Sequence, residues 1–245
     1  MKQKSQDNKI LLIDIEISPA CGWTWGPKFD TSIIEFIEPW YILSVAYKWL
    51  GQKCEVIAID THSEKEVVKK IHQLLSSCEV AVAHNGDKFD FKKLNTRFLH
   101  FGLAPPPPFR TIDTRTIARQ RFGFYSNSLN DIAKELGIGE KVHHEGFALW
   151  KRCMARDKGA FVVMKKYNVR DVELLERVYL RFRPWIKNHP HISDGSLCSR
   201  CGSDKIQSRG FRRTVATIRK RYQCQNCLGW MSSLSGEMVS SRRSI

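Results

Sequence analysis

Asp14 and Glu16 in LLIDIEIS, Asp90 in HNGDKFD and Asp171 in YNVRDVELL place four carboxylates in three segments that each look ordered. Acids suit magnesium or manganese, hard cations that take oxygen ligands. Two such ions a few ångströms apart activate a water, stabilise an in-line phosphoryl transition state and hold the leaving oxygen. Carboxylates brought that close repel one another and lose hydration, a cost that cations remove. The chemistry this set offers is two-metal phosphoryl transfer.

The surrounding sequence says which elements would carry the acids. Ile10 to Ile13 is an apolar, β-branched run that reads as a buried central strand, and Asp14 and Glu16, two residues apart, fall on one face of it. Asp171 follows Tyr167 by four residues in a helical pattern, which stacks the phenol and the carboxylate on one helix face. Val80 to Ala83 reads as a second buried strand leading into Asn85 to Asp90, and a helical pattern follows from Phe89 to Phe101, with Phe89 as a core anchor. Further strands are expected at Ile42 to Trp49 and Glu55 to Ile59. Helices are expected from Glu64 to Ser76, near Gly146 to Met154, and from Gly159 to Arg183. Ser128 and Asp131 form a capping-box-like start to another helix, which Gly137 stops. Pro105 to Pro108 make a stiff extended connection. The fold class is α/β, a mixed sheet with a helical crossover and flanking helices. Residues 18–40 read as irregular and aromatic, with Trp23, Trp25, Phe29, Phe36 and Trp40 expected to complete the core, the rival reading being that they stack on bases.

Asp14-Ile15-Glu16, Asn85 to Asp90 as N-x3-F-D, and Tyr167 to Asp171 as Y-x3-D resemble, in order, the three motifs of the RNase H-like 3'-to-5' exonucleases of the DEDD superfamily. The second motif is similar to that of family B DNA polymerase proofreading domains and their stand-alone relatives. The alternative subclass has a histidine five residues before the last aspartate; Lys166 stands there, so the resemblance is to the tyrosine subclass. SLNDIAKELGIGEK, residues 128–141, is similar to the helix those domains carry between the second and third motifs. D-x-E alone should arise by chance about once in a chain of this length, so the order and context of all three motifs carry the reading.

The resemblance implies an RNase H-like fold over roughly residues 8–185 and hydrolysis of the 3'-terminal phosphodiester with release of nucleoside 5'-monophosphates. It implies that Asp14 bridges two Mg2+ or Mn2+ ions, Glu16 and Asp171 complete the nucleophile-side site, and Asp90 holds the second ion partly through water. Tyr167 orients the attacking water, while Asn85 and the backbone around Ile15 to Ile17 contact the terminal nucleotide. The expected substrate is single-stranded DNA, with RNA, or a non-catalytic nucleic-acid-binding protein on the same fold, as alternatives. His84, at a strand end, is expected near the metals. His143 and His144 read as surface histidines without partners.

Net charge sharpens the expectation of a polyanionic partner. The chain has 245 residues, 42% hydrophobic, with a formal charge of +15. Residues 197–232 hold eight Lys or Arg against the single acid Asp204, a clustering that solubility alone does not require. In the same segment Cys198-x2-Cys201 and Cys224-x2-Cys227, 22 residues apart, have the spacing of a four-cysteine zinc site. A segment this short does not fold on hydrophobic burial alone, and one structural Zn2+ would supply the missing energy. CSRCGSDKIQSRGFRRTVATIRKRYQCQNC resembles a zinc ribbon, in which VATIRKRYQC forms part of a hairpin. Arg212, Arg213, Lys220 and Arg221 are its candidate contacts to nucleic acid, with protein docking as the ribbon's other use. Cys21, Cys54, Cys78 and Cys153 lack paired spacing and read as buried or part-buried thiols.

The expected organisation is an RNase H-like exonuclease domain over 1–188, a linker over 189–196, a zinc ribbon over 197–232 and a disordered tail over 233–245. No apolar run is long enough for a membrane span and MKQKSQDNK has no signal-peptide character, which leads to the expectation of a cytosolic or host-cytosolic protein without a membrane partner.

Overall fold

The computed structural model describes residues 9–25, 33–186, 189–190, 197–233 and 236–238. Phe29, nearly all of the 189–196 linker and most of the 233–245 tail lie outside these residues. The chain divides into two compact units, Met1–Tyr179 and Leu180–Ile245.

The first unit is built on a five-stranded mixed sheet. Its strands are β1 (Ile10–Ile17), β4 (Ile42–Trp49), β5 (Glu55–Ala58), β6 (Val80–Ala83) and β7 (Arg110–Asp113), in the order β5-β4-β1-β6-β7. β1 pairs antiparallel with β4, and parallel with β6, which is in turn parallel to β7. Central position explains the composition of β1: Ile10 through Ile13 are all buried, as a strand covered on both faces requires. The carboxylates enter only where the strand ends, at Asp14 and Glu16.

Parallel neighbours need crossovers, and helices supply them. α1 (Glu64–Ser77) starts on a Ser63/Glu66 capping box and buries Val67, Val68, Ile71, Leu74 and Leu75 against the sheet, at the spacing expected from the sequence. α2 (Asp90–His100) follows β6 after a short polar turn. Gly86 in that turn fits because it lacks a side chain: a Cβ there would lie 2.4 Å from the Cβ of Ala83 and 3.0 Å from Phe91. Phe89, expected in the core, is instead 37% exposed, and Phe91 points inward in its place. The reason is register. Asp90 opens the helix, so the position that faces the sheet comes one residue after it.

α3 (Thr114–Arg121) and α4 (Leu129–Glu135) follow, the latter capped by Ser128, with Gly137 in the left-handed region just past its end. α5 (Phe147–Met154) leads to α6 (Lys158–Phe182), which carries Tyr167 and Asp171. The 18–40 stretch is not wholly irregular: β2 (Cys21–Trp23) and β3 (Glu35–Glu38) form a small hairpin. Nor do its aromatics complete the core. Trp23, Trp25 and Phe36 are 62%, 95% and 59% exposed, because the hairpin pairs only with itself and has no second layer among the described residues. Trp40 is half-buried under the ammonium of Lys93, 4.0 Å from its ring centre.

The second unit holds β8 (Ile206–Arg213), β9 (Thr217–Cys224), β10 (Trp230–Ser232) and β11 (Glu237–Met238). β8 pairs with one edge of β9, while β10 and β11 share its other edge. The stretch expected as a disordered tail thus contributes β11, whose backbone pairs with Thr217 and Ile218. No helix among the described residues is long and apolar enough to cross a membrane.

Candidate active site

Strand alternation on β1 and the reach of α6 bring Asp14, Glu16 and Asp171 together, one carboxylate oxygen from each lying within 4.8 Å of the others. Asp90 is not in that trio. From the first position of α2, its Oδ1 accepts a hydrogen bond from the Ile15 N–H at 3.2 Å, which pins the fourth acid to the β1 backbone between Asp14 and Glu16. The Ile15 N–H, expected to contact a nucleotide, is therefore already engaged.

Electrostatics make this cluster expensive for the protein alone. Burial raises Asp14 well above the carboxylate range, and Glu16, Asp90 and Asp171 add repulsion that Lys141 only partly offsets. Burial and then Asp171 push Glu16 up to about 8, and burial pushes Asp90 up to about 7 against the hydrogen bond from Ile15. Asp171 is raised too, chiefly by burial, and its buried Oδ1 has no hydrogen-bond partner. An all-oxygen donor set with an orphaned buried carboxylate oxygen fits a hard divalent cation. Asp14, Glu16 and Asp171 are the residues placed to hold one, and Asp90 lies outside that set.

Sequence reasoning missed three neighbours of this cluster. Lys141 Nζ donates to Asp171 Oδ2 at 2.6 Å and to the Tyr167 hydroxyl at 3.0 Å. Burial works against its charge, but Asp171 and Tyr167 outweigh burial and raise its pKa. Asn168, fully buried, donates through Nδ2 to Asp14 Oδ2 at 2.6 Å and accepts from the Ser44 hydroxyl at 2.6 Å. His144, expected as a partnerless surface residue, packs edge-on against Tyr167 with ring centres 4.7 Å apart, and against Trp150 at 5.3 Å. No pattern marks any of the three: Lys141 is one of 40 basic residues, and Asn168 merely follows Tyr167 on the helix. Burial, then Asp171, raises the Tyr167 phenol, so it is a neutral hydroxyl in the neutral pH range.

The turn between β6 and α2 is held from outside. Asn85 adopts φ 71°, and its N–H donates to Asp113 Oδ1 at 2.9 Å; the same oxygen caps α3 through Arg115 and Thr116. His84 bridges Thr114 Oγ1 (2.9 Å) and the Asn127 carbonyl (3.0 Å). Burial lowers it to about 4, so its neutral ring donates through Nε2 to the Asn127 carbonyl and keeps Nδ1 as an acceptor beside the Thr114 hydroxyl, which also reaches the Ala83 carbonyl at 3.2 Å. Both ring nitrogens are thereby committed to the scaffold.

In the second unit, the sulfurs of Cys198, Cys201, Cys224 and Cys227 lie within 4.8 Å of one another, with Cys198–Cys227 and Cys201–Cys224 both at 3.6 Å. A tetrahedron of sulfurs about 2.3 Å from a central zinc has edges of about 3.8 Å, so the set fits Zn2+. Asn226 donates through its backbone N–H to Cys224 (3.3 Å) and through its side chain to Cys201 (3.7 Å), contacts that favour thiolates. Cys21 and Cys54 are half-buried thiols, and Cys78 and Cys153 are fully buried.

Cross-strand register sorts the basic residues of this sheet. Arg212 lies opposite Arg219, and Ser232 opposite Arg221, so these share a face. Lys220 and Arg213, opposite Phe211 and Ile218, lie on the other. The four expected contacts are therefore split two and two.

Comparison with known proteins agrees with this architecture. A curated relative, Protein NEN3 of Arabidopsis thaliana, is 28% identical over 87 residues, which are 35% of this chain and 17% of that protein. The chain thus spans only a small share of that relative's length. Among solved structures, the family B DNA polymerase from the hyperthermophilic archaeon Pyrobaculum calidifontis is similar at a TM-score of 0.51 and 15% identity, over 71% of this chain and 24% of that one. That likeness is one of fold. The match to the RNase_H superfamily runs over residues 39–182, from just before β4 to the end of α6, and with it the chain belongs to that superfamily.

Proposed function

We propose that the protein is a metal-dependent 3'-to-5' exonuclease of the tyrosine subclass, acting on single-stranded DNA. The observation that carries this reading is the meeting of Asp14, Glu16 and Asp171 within 4.8 Å, with Asp90 fixed to the backbone between the first two. Mg2+ or Mn2+ held there would supply Lewis acidity and an activated water for attack on the terminal phosphodiester. The chain's own residues do the positioning. Asn168 fixes the Asp14 carboxylate, and Lys141 holds the Tyr167 hydroxyl beside Asp171. Because the phenol stays protonated, Tyr167 orients the attacking water by hydrogen bonding and does not act as a base. Lys141 places a positive charge where negative charge grows on the phosphate.

The test is incubation with Mg2+ or Mn2+ and 5'-labelled single-stranded DNA, duplex DNA and RNA. The expected result is a ladder shortened from the 3' end, fastest on single-stranded DNA, and its loss in a folded Asp14→Ala variant. Undiminished degradation by Asp14→Ala sinks the assignment, and faster shortening of RNA moves the substrate to ribonucleic acid.

A further inference from the structure

The second unit carries a surface that the zinc site does not explain. Strand alternation gives its sheet two unlike faces. On one, Tyr222 and Met231 pack with Cys198 and Cys224 around the sulfur cluster. On the other, Arg212, Arg219 and Arg221 stand in register with Ser232 and Trp230. These side chains border a concave space of about 460 Å³. The Arg221 guanidinium lies 4.0 Å from the centre of the Trp230 ring, which fixes the indole while leaving it 48% exposed. None of the three arginines has a carboxylate within ion-pair distance among the described residues. Three unneutralised guanidiniums around an exposed aromatic platform match a ligand that alternates phosphates with flat rings.

We propose that this arginine-tryptophan face binds single-stranded nucleic acid, with a base stacked on Trp230 and the adjoining phosphates held by Arg212, Arg219 and Arg221. The space has the size of a site for one nucleotide. A duplex would bring its phosphates but not a base, since paired bases are stacked inside the helix. The inference rests on the nucleic-acid reading above, but it concerns binding and needs no hydrolysis.

The opposite face supplies a control, because Arg213 and Lys220 are likewise exposed and carry the same charge. In zinc-loaded full-length protein carrying Asp14→Ala, binding of a 5'-fluorescein oligothymidylate is followed by anisotropy across a salt series. Arg219→Gln with Arg221→Gln should weaken binding at least about tenfold and flatten the plot of log affinity against log salt by about 1.4, the contribution of two phosphates. Trp230→Ala should cost roughly 5- to 100-fold with the slope unchanged. Arg213→Gln with Lys220→Gln should change affinity less than about threefold at moderate salt. Equal losses from the two double variants, parental binding by Trp230→Ala, or no oligonucleotide binding at all overturns the proposal. Zinc content checks the fold of each variant, and the solvent-facing arginine pair decides alone if Trp230→Ala loses its metal. Hydrolysis by the wild-type chain is scored separately: digestion without face-dependent binding refutes this inference only, and face-dependent binding without digestion refutes only the exonuclease reading.

Discussion

Asn168 illustrates what a single buried amide contributes to a cluster of acids. It spans Ser44 and Asp14 and uses both ends of its side chain, so truncation leaves the Ser44 hydroxyl and an Asp14 oxygen without a partner. Asn168→Ala should lower Mn2+ affinity by about 10- to 100-fold, the usual effect of losing a residue that orients a ligand, and should destabilise the fold by about 1–3 kcal/mol. Calorimetric titration with Mn2+ measures the first, and unchanged affinity would show that Asp14 needs no such support. The acids also predict a pH dependence. Glu16 and Asp90 rise to about 8 and about 7 in the fold, above their unfolded values, so the native state holds more protons across that window. Metal-stripped protein should therefore lose thermal stability as pH rises from about 4 to about 8, and Mn2+ should restore more at about pH 8 than at about pH 6, where it must displace protons. Thermal melts at both pH values check the sign. The placement of Asp14 and Glu16 on one strand, of Asp90 at the start of a helix, and of Tyr167 and Asp171 on one helix was legible, because spacing and apolar context fix those positions. Lys141, Asn168 and His144 were not, since their roles depend on which segments the fold brings across from them.

Among the elements, α3 and the turn before α2 share one anchor. Asp113 Oδ1 accepts from the Arg115 and Thr116 N–H groups at the start of α3, and from Asn85 in the turn, so one carboxylate fixes a helix terminus and the approach to Asp90 together. Asp113→Ala should cost about 2 kcal/mol as a lost cap, and should also lower activity through the loosened turn. Asp113→Asn, which keeps an acceptor oxygen, should recover most of both. Urea melts and exonuclease rates measured in parallel decide it: a stability loss with full activity would show that the turn holds its shape without Asp113. Most elements around the site could be read from periodicity. β4 runs over the expected residues, α1 extends one residue further, and α6 starts one residue earlier than expected and stops one residue sooner. β7 and α3 could not be read. RTID contains one aliphatic residue, and TRTIARQR offers only Ile117 and Ala118 as an apolar stripe, so neither shows a period. Their places come from the sheet, where β6 presents an open parallel edge that β7 fills.

At the scale of the molecule, the two compact units are stabilised by different means, and this predicts that they fail separately. Met1–Tyr179 buries a continuous apolar core on a five-stranded sheet, whereas the buried cluster at the sulfur site consists of Cys198, Cys224 and Met231, with Ile206 and Tyr222 partly covered. So small a cluster does not offset the chain entropy of ordering four strands, and Zn2+ binding, about 10–16 kcal/mol in peptides of this kind, would supply the difference. Packed at 3.6 Å without a metal, the thiols would also resist sharing negative charge; burial raises Cys198, while hydrogen bonds lower Cys201 to about 7. A zinc-selective chelator should therefore unfold residues 197–233 and leave the melting of the larger unit within about 2 °C of its starting point. Amide exchange resolved by segment reads this directly: protection should vanish across β8 and β9 and persist across β1, β4 and β6. Loss of protection in both units at once would mean that the larger fold depends on the metal-bound one. Retention in both would mean that the four cysteines hold their sheet without zinc.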